Sequence, residues 1–255
     1  MDLAYAFSGF AVGAIVGLTG VGGGSLMTPL LVLIFGVAPA TAVGTDLLYA
    51  AITKAGGVVV HARRRHVRWD IVGRLAAGSL PGALITIGFL HFAGIDHRAL
   101  TRIITQALGA ALILTAFAVL FRHRIQQWGS AASSTRLRAI GPLTVAVGLT
   151  LGVLVTLSSV GAGALGVAAL VFLYPRLATV EVVGSDIAHA VPLTLAAGLG
   201  HAHLGTVDWG LLMSLLVGSL PGIWLGSMLS TRIPDSLLRS GLASLLFLIG
   251  GKLVL

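Results

Sequence analysis

Charge is scarce in this chain. Asp, Glu, Lys and Arg make up only 9% of its 255 residues, against about a quarter in a soluble domain. Cysteine is absent altogether. That excludes disulfides, thiolate chemistry and cysteine metal sites, and it leaves the redox compartment open. No run shows the alternating polarity of a membrane β-barrel strand. No P-loop is present, so ATP hydrolysis by the chain itself is not expected. Met1-Asp2-Leu3 lacks the basic n-region of a cleaved signal peptide, so the first apolar run is expected to be retained as a helix.

What fills the chain instead is apolar. Hydrophobic residues reach 56% and mean hydropathy is +1.02. Runs of membrane-spanning length recur from end to end, the pattern of a polytopic helical membrane protein. The 35 glycines suit close helix packing and broken helices in lipid. The formal net charge of +8 sits in short loops between apolar runs. The positive-inside effect explains that placement, and nucleic-acid binding is not expected.

Ten helical segments are expected, over about 3–20, 24–36, 41–62, 70–91, 99–121, 139–158, 162–174, 180–203, 208–229 and 236–255. Residues 122–138 read as a polar linker containing Gln126-Gln127 and Gly129-Ser130-Ala131-Ala132-Ser133-Ser134. Three parts follow: a first membrane repeat over 1–121, a cytoplasmic linker over 122–138 and a second membrane repeat over 139–255.

The halves repeat. Val43-Gly44-Thr45-Asp46 returns as Val183-Gly184-Ser185-Asp186, 140 residues on. His61 and Trp69 return as His201 and Trp209, and Gly78-Ser79-Leu80-Pro81-Gly82 as Gly218-Ser219-Leu220-Pro221-Gly222, at the same offset. Gly20-Val21-Gly22-Gly23-Gly24-Ser25 has its echo in Ser159-Val160-Gly161-Ala162-Gly163-Ala164, offset by 139. Four landmarks at one offset, with the glycine break one residue short of it, indicate an internal duplication. Placing Arg63, Arg64, Arg65 and Arg68 in the cytoplasm also puts Arg122, Arg124, Arg136 and Arg138 there, with Arg176, Arg232 and Arg239. Both termini then lie outside. Five segments per half is an odd number, so the repeats are expected to be inverted, an arrangement common in secondary transporters.

A glycine-rich break precedes each short segment. Thirteen residues of helix cover about 20 Å, against about 30 Å of hydrocarbon. Segments two and seven are therefore expected to be broken or re-entrant. Their starts leave backbone N–H groups that need a partner at membrane depth, and a helix N-terminus suits an anion. Gly22, Gly23, Gly24, Ser25, Ser158, Ser159, Gly161 and Gly163 are candidate anion-binding residues on that reading. The glycines equally permit tight helix crossings.

Four ionisable residues fall inside apolar runs: Asp46, Lys54, Asp186 and His189. Each is costly in lipid and is expected to face the protein interior. Asp46 and Asp186 are repeat mates, as are Tyr49 and His189, each three residues after its aspartate. That spacing puts each pair on one helix face, so Asp186 and His189 can exchange or orient a proton. Lys54 reads either as counter-charge to an anion or as a partner of Asp186. The aspartates read either as a proton path or as acceptors of backbone hydrogen bonds early in a helix. Thr45 and Ser185 add hydroxyls to the candidate site. His61 and His201 are expected at the interface. Tyr5, Trp69, Trp128, Tyr174 and Trp209 lie near predicted boundaries, as in an aromatic belt.

Taken together, the Gly20–Ser25 stretch leading to Pro29, Ala42-Val43-Gly44-Thr45-Asp46-Leu47 and the duplicated Gly-Ser-Leu-Pro-Gly resemble the TauE/SafE sulfite-exporter family over nearly the whole chain. Many members carry Thr-Ser where this chain has Thr45-Asp46 and Ser185-Asp186. The resemblance implies a bacterial inner-membrane transporter of sulfur-containing or organic anions such as sulfite, sulfoacetate or sulfonates, coupled to protons or another ion. The expected fold is an all-α polytopic membrane protein of two inverted repeats, with short helices two and seven. Substrate donors are expected at Gly22 to Ser25, Thr45, Lys54, Ser158, Ser159, Gly161, Gly163 and Ser185, and a proton path at Asp46, Asp186 and His189. No cofactor, metal or enzymatic activity is expected. The partners are a small anion, the coupling ion and the bilayer, with an oligomer open. The other readings are a channel or a structural membrane subunit, and an intramembrane hydrolase built on Ser158 or Ser159 with His189, for which the Gly-x-Ser-Gly setting is missing.

Overall fold

The computed structural model describes the backbone of residues 3–19, 24–92, 97–130, 135–229 and 235–254. Among these residues the chain is helical throughout, with α1 Leu3–Thr19, α2 Gly24–Leu33, α3 Pro39–Arg63, α4 Trp69–Phe92, α5 His97–Leu120, α6 Arg122–Ser130, α7 Thr135–Ser158, α8 Ala164–Leu173, α9 Thr179–His203, α10 Trp209–Leu229 and α11 Asp235–Val254. Five are long and apolar enough to cross a membrane over Pro39–Arg63, Trp69–Phe92, Arg98–Leu120, Ala139–Ser158 and Thr179–His203. The two short helices stand where the glycine breaks predict them, each of 10 residues.

One element differs from expectation. The stretch read as a polar linker is helical over Arg122–Ser130. Arg and Gln are good helix formers, and the chain continues from α5 by Phe121 N–H to Phe117 carbonyl and Ile125 N–H to Phe121 carbonyl, each at 2.9 Å. Gly129 is buried against the backbone of Phe172, so α6 rests on α8.

Local chemistry sets the helix limits. Pro39 occupies the first turn of α3, where its missing N–H costs nothing. The amide of Ala178 is taken by Glu181 Oε2 at 3.2 Å before α9. Both α3 and α9 end in a left-handed residue, Arg65 with φ 58° and Gly205 with φ 72°. The turns are otherwise alike: His66 N–H reaches the His61 carbonyl at 2.9 Å and Thr206 N–H the His201 carbonyl at 3.0 Å.

The helices pack in matched sets. α1 lies along α10, α4 along α7 and α3 along α9, with α5 against α11. The first two pairs approach so closely that a Cβ at Gly78 would overlap the Val145 carbonyl and one at Gly218 the Ala6 carbonyl. Some contacts between the halves have a counterpart with the halves exchanged. Asp208 N–H donates to Thr45 Oγ1 at 3.0 Å, and Arg68 N–H donates to Ser185 Oγ at 2.9 Å. Within the halves, the Tyr5 ring meets the Phe35 ring in a tilted contact, with centroids 5.1 Å apart. The positions offset by 139, Thr144 and Tyr174, are joined by a 2.8 Å hydrogen bond. The geometry is duplicated even where the chemistry has drifted.

The outside of the bundle is apolar. Leu84, Ile85, Phe89, Leu220, Trp224 and Leu248 are exposed on it, as a lipid-facing surface requires. Trp69 and Trp209 are exposed at the starts of α4 and α10, and Trp128 near the end of α6.

Candidate functional site

The polar groups of the interior collect where α3 and α9 cross near the turn between α7 and α8. That turn is unusual backbone. Ser159 has φ 57°, Gly161 φ 120° and Gly163 φ 143°, so α7 stops and α8 restarts in another direction. Glycine carries two of these three positions at little cost, and Ser159 carries the third with strain. Gly166 N–H returns to the Gly161 carbonyl at 3.1 Å and Val167 N–H to the Gly163 carbonyl at 2.8 Å. The amides of Ala164 and Leu165 find no backbone acceptor among the described residues, and no side chain caps α8, as the first turn of a helix leaves them.

Three buried charges face this turn. Lys54 donates Nζ to the Ala162 carbonyl. Asp186 and then Asp46 are the charges acting on it most strongly. Among the described residues neither carboxylate comes within ion-pair distance of Lys54, so the expected alternative of a Lys54–Asp186 salt bridge is not formed here. Asp46 is held on Oδ2 by Thr28 Oγ1 at 2.6 Å and by Ser159 Oγ at 2.9 Å, and its Oδ1 is buried without a partner among the described residues. Helix α3 begins seven residues before Asp46, so this carboxylate serves no helix start, and its partners come from α2 and the break. Asp186 accepts no hydrogen bond among the described residues, and its Oδ1 is buried. It lies against Gly166, where a Cβ would overlap the carboxylate.

His189 does not pair with Asp186. Its Nε2 meets Ser79 Oγ at 2.8 Å, and Nδ1 is buried without a partner among the described residues. Its repeat mate Tyr49 is set beside Ser219, the mate of Ser79, without closing a full hydrogen bond.

Other expected site residues are placed elsewhere or not at all. Gly22 and Gly23 lie outside the described residues. Gly24 and Ser25 open α2. Ser158 donates back to the Leu154 carbonyl at 2.6 Å and accepts Val160 N–H at 3.1 Å, so it shapes the turn. Thr45 and Ser185 accept the backbone amides that precede α10 and α4. His201 is buried rather than interfacial, with Nδ1 at 2.8 Å from Thr206 Oγ1 and Nε2 at 2.9 Å from the Thr156 carbonyl. Three participants escaped sequence reasoning: Thr28, Ser79 and the Ala162 carbonyl. Ser79 stands inside a duplicated motif and Thr28 is a polar residue in a short apolar helix, so both carried a signal. The carbonyl carried none.

What this arrangement can do is bind and release small polar species inside a membrane bundle. It holds a cation on a weak neutral acceptor, two carboxylates of unequal satisfaction, a histidine and a helix start.

The comparisons with known proteins agree. The chain is 40% identical to a probable membrane transporter protein, YjnA, of Bacillus subtilis (strain 168), over the full length of both. It is 28% identical to a second from that organism, YdhB, covering 91% of this chain and 92% of that one. A probable membrane transporter protein of Xylella fastidiosa (strain 9a5c) is 31% identical over 90% of this chain and 85% of its own. No solved structure matches it. The chain is thus a multi-pass membrane transporter rather than an enzyme. Residues 5–253 match the family described as Sulfite exporter TauE/SafE, and the chain belongs to that family.

Proposed function

We propose that the protein is a secondary transporter that moves small sulfur-containing or organic anions, of the sulfite, sulfoacetate or sulfonate kind, across the bacterial inner membrane. Transport is coupled to protons. Alternating access comes from two inverted repeats rocking around the turn between α7 and α8. The reciprocal contacts at offsets of 139 and 140 support a pair of inverted repeats. With five segments per half and the arginine-rich loops inside, both termini are periplasmic.

One observation carries the reading. Lys54, a buried cation, is parked on the Ala162 carbonyl at the mouth of the α8 N-terminus. A neutral carbonyl is a poor substitute for an anion. A small oxyanion arriving there gains the ammonium and the first amides of α8 together. Asp46, Asp186 and His189 ring the same place and supply groups for a coupling proton.

The test is uptake of radiolabelled sulfite into proteoliposomes with an imposed pH gradient. Saturable, gradient-dependent flux that falls at least tenfold in Lys54→Ala is expected. Ungated flux indifferent to Lys54→Ala would sink the mechanism. Tags at both termini should be labelled from the periplasm, and cytoplasmic labelling of either overturns the inverted topology.

A further inference from the structure

The two repeat-related aspartates are not equivalent, and the residues that separate them are identifiable. Asp46 receives two donors on Oδ2, the Thr28 hydroxyl and the Ser159 hydroxyl, and its Oδ1 is buried without a partner among the described residues. One comes from α2 and one from the opposite half, so Asp46 is a cross-tie. In the second half each donor has been removed. Val167 stands in the position of Thr28, and its amide is already taken by the Gly163 carbonyl. Gly20 stands in the position of Ser159. Gly166 stands in the position of Met27, and the room left by its missing side chain is where the Asp186 carboxylate sits. Asp186 is therefore buried, and among the described residues it receives no donor. The charged group facing it is Lys54 from α3. From α8 it meets the backbone at Gly166. His189, one turn along α9, is turned toward Ser79 of α4.

From this we infer a division of labour, resting on the proton-coupled reading above: Asp186 is the carboxylate that takes and gives up the coupling proton, and Asp46 is a fixed post that holds α2 and the α7–α8 turn to α3. The O–H bond forms on a free Asp186 oxygen as the proton enters from one side. It breaks as the proton leaves to the other, with no other bond made or lost. When Asp186 is protonated, Lys54 loses its nearest negative neighbour and is left to the anion. Proton and anion thereby occupy one site together.

The experiment needs no substrate. Purified full-length protein in lipid is stepped in pH, and the protonated-carboxyl stretch is followed by infrared difference spectroscopy. The wild type should show a carboxyl band that appears on acidification. Asp186→Asn should abolish it, Asp186→Glu should move it, and Asp46→Asn should retain it. Relieving Asp46 of its ties in Thr28→Val with Ser159→Ala should add a second titrating band. Loss of the band in Asp46→Asn, or its survival in Asp186→Asn, overturns the inference. So does an Asp186→Glu band unmoved from its wild-type position. A retained band assignment with no sulfite flux would instead refute the choice of substrate and leave the inference standing.

Discussion

Removing the two hydroxyls that hold Asp46 should unfasten the centre of the molecule, by an amount set by a few atoms. Thr28 Oγ1 and Ser159 Oγ both end on the same carboxylate oxygen, at 2.6 and 2.9 Å, in a site with no solvent exposure at Asp46. A hydrogen bond to a buried carboxyl group is worth about 1–3 kcal/mol, most of it the cost of leaving the acceptor unsatisfied. Thr28→Val keeps the shape and loses the donor, so it should cost about 1–3 kcal/mol by itself. Ser159→Ala should cost a similar amount. Ser159→Gly should cost less by roughly 1 kcal/mol, because glycine adopts φ 57° without strain. The double variant removes both side-chain donors and should exceed either single change. The assay is reversible unfolding in mixed micelles, read by tryptophan fluorescence. The decisive comparison is an Asp46→Ala background, in which the hydroxyls have no carboxylate to serve. There Thr28→Val and Ser159→Ala should cost less than half of what they cost in the wild type. Equal costs in both backgrounds would show that the hydroxyls act through something other than Asp46, and the reasoning fails.

Helix packing and helix capping give two further expectations. Gly78→Val and Gly218→Val should each destabilise by about 1–3 kcal/mol through overpacking, because a Cβ there overlaps the Val145 or Ala6 carbonyl. Gly56→Ala, with nothing within 4 Å of the new carbon, should be neutral or stabilising by up to about 1 kcal/mol; the same unfolding assay ranks all three. Thr45→Val and Ser185→Ala should lower stability by about 1 kcal/mol, the scale of a lost helix-start acceptor. They should leave the half-saturating sulfite concentration within twofold, whereas a tenfold rise in proteoliposome uptake would return them to the substrate site.

The helices were legible because length, hydropathy and repetition all bear on them. The segment read over 41–62 is α3 at Pro39–Arg63, and that over 162–174 is α8 at Ala164–Leu173. The site was legible in part. Buried charge in an apolar run is expensive enough that Asp46, Lys54, Asp186 and His189 had to face inward, and all four do. Their partners were not legible. Spacing of three residues put Asp186 and His189 on one face, but which neighbour each meets depends on α4 and α8, far away in sequence. Thr45 and Ser185 looked like substrate hydroxyls because they adjoin the aspartates, and one residue of helical rotation turns them to the backbone of α10 and α4 instead. Residues 122–130 looked like a linker because they are polar. Polarity on a helix that only rests against the bundle does not prevent helix formation.

Symmetry also bears on energetics. If two identical repeats exchanged conformations, the inward- and outward-facing states would be equal in energy. This chain is not identical in its repeats where it matters. The Ser159–Asp46 bond has no counterpart, since Gly20 has no hydroxyl, and neither does the Lys54–Ala162 contact, since Thr194 replaces the lysine. Two unmatched polar contacts favour the present arrangement over its exchanged form by about 2–5 kcal/mol, which is a bias of roughly thirty-fold to several thousand-fold. A ligand can reverse that bias only through a difference in its own affinity for the two states of the same size. An anion that draws Lys54 off the Ala162 carbonyl removes one of the two contacts outright. On the proposed proton-coupled reading, a proton on Asp186 lowers the cost of moving Lys54. On this scheme substrate and proton are each insufficient to switch the transporter, and sufficient together. That is what the proposed coupling requires of the positions where the repeats differ.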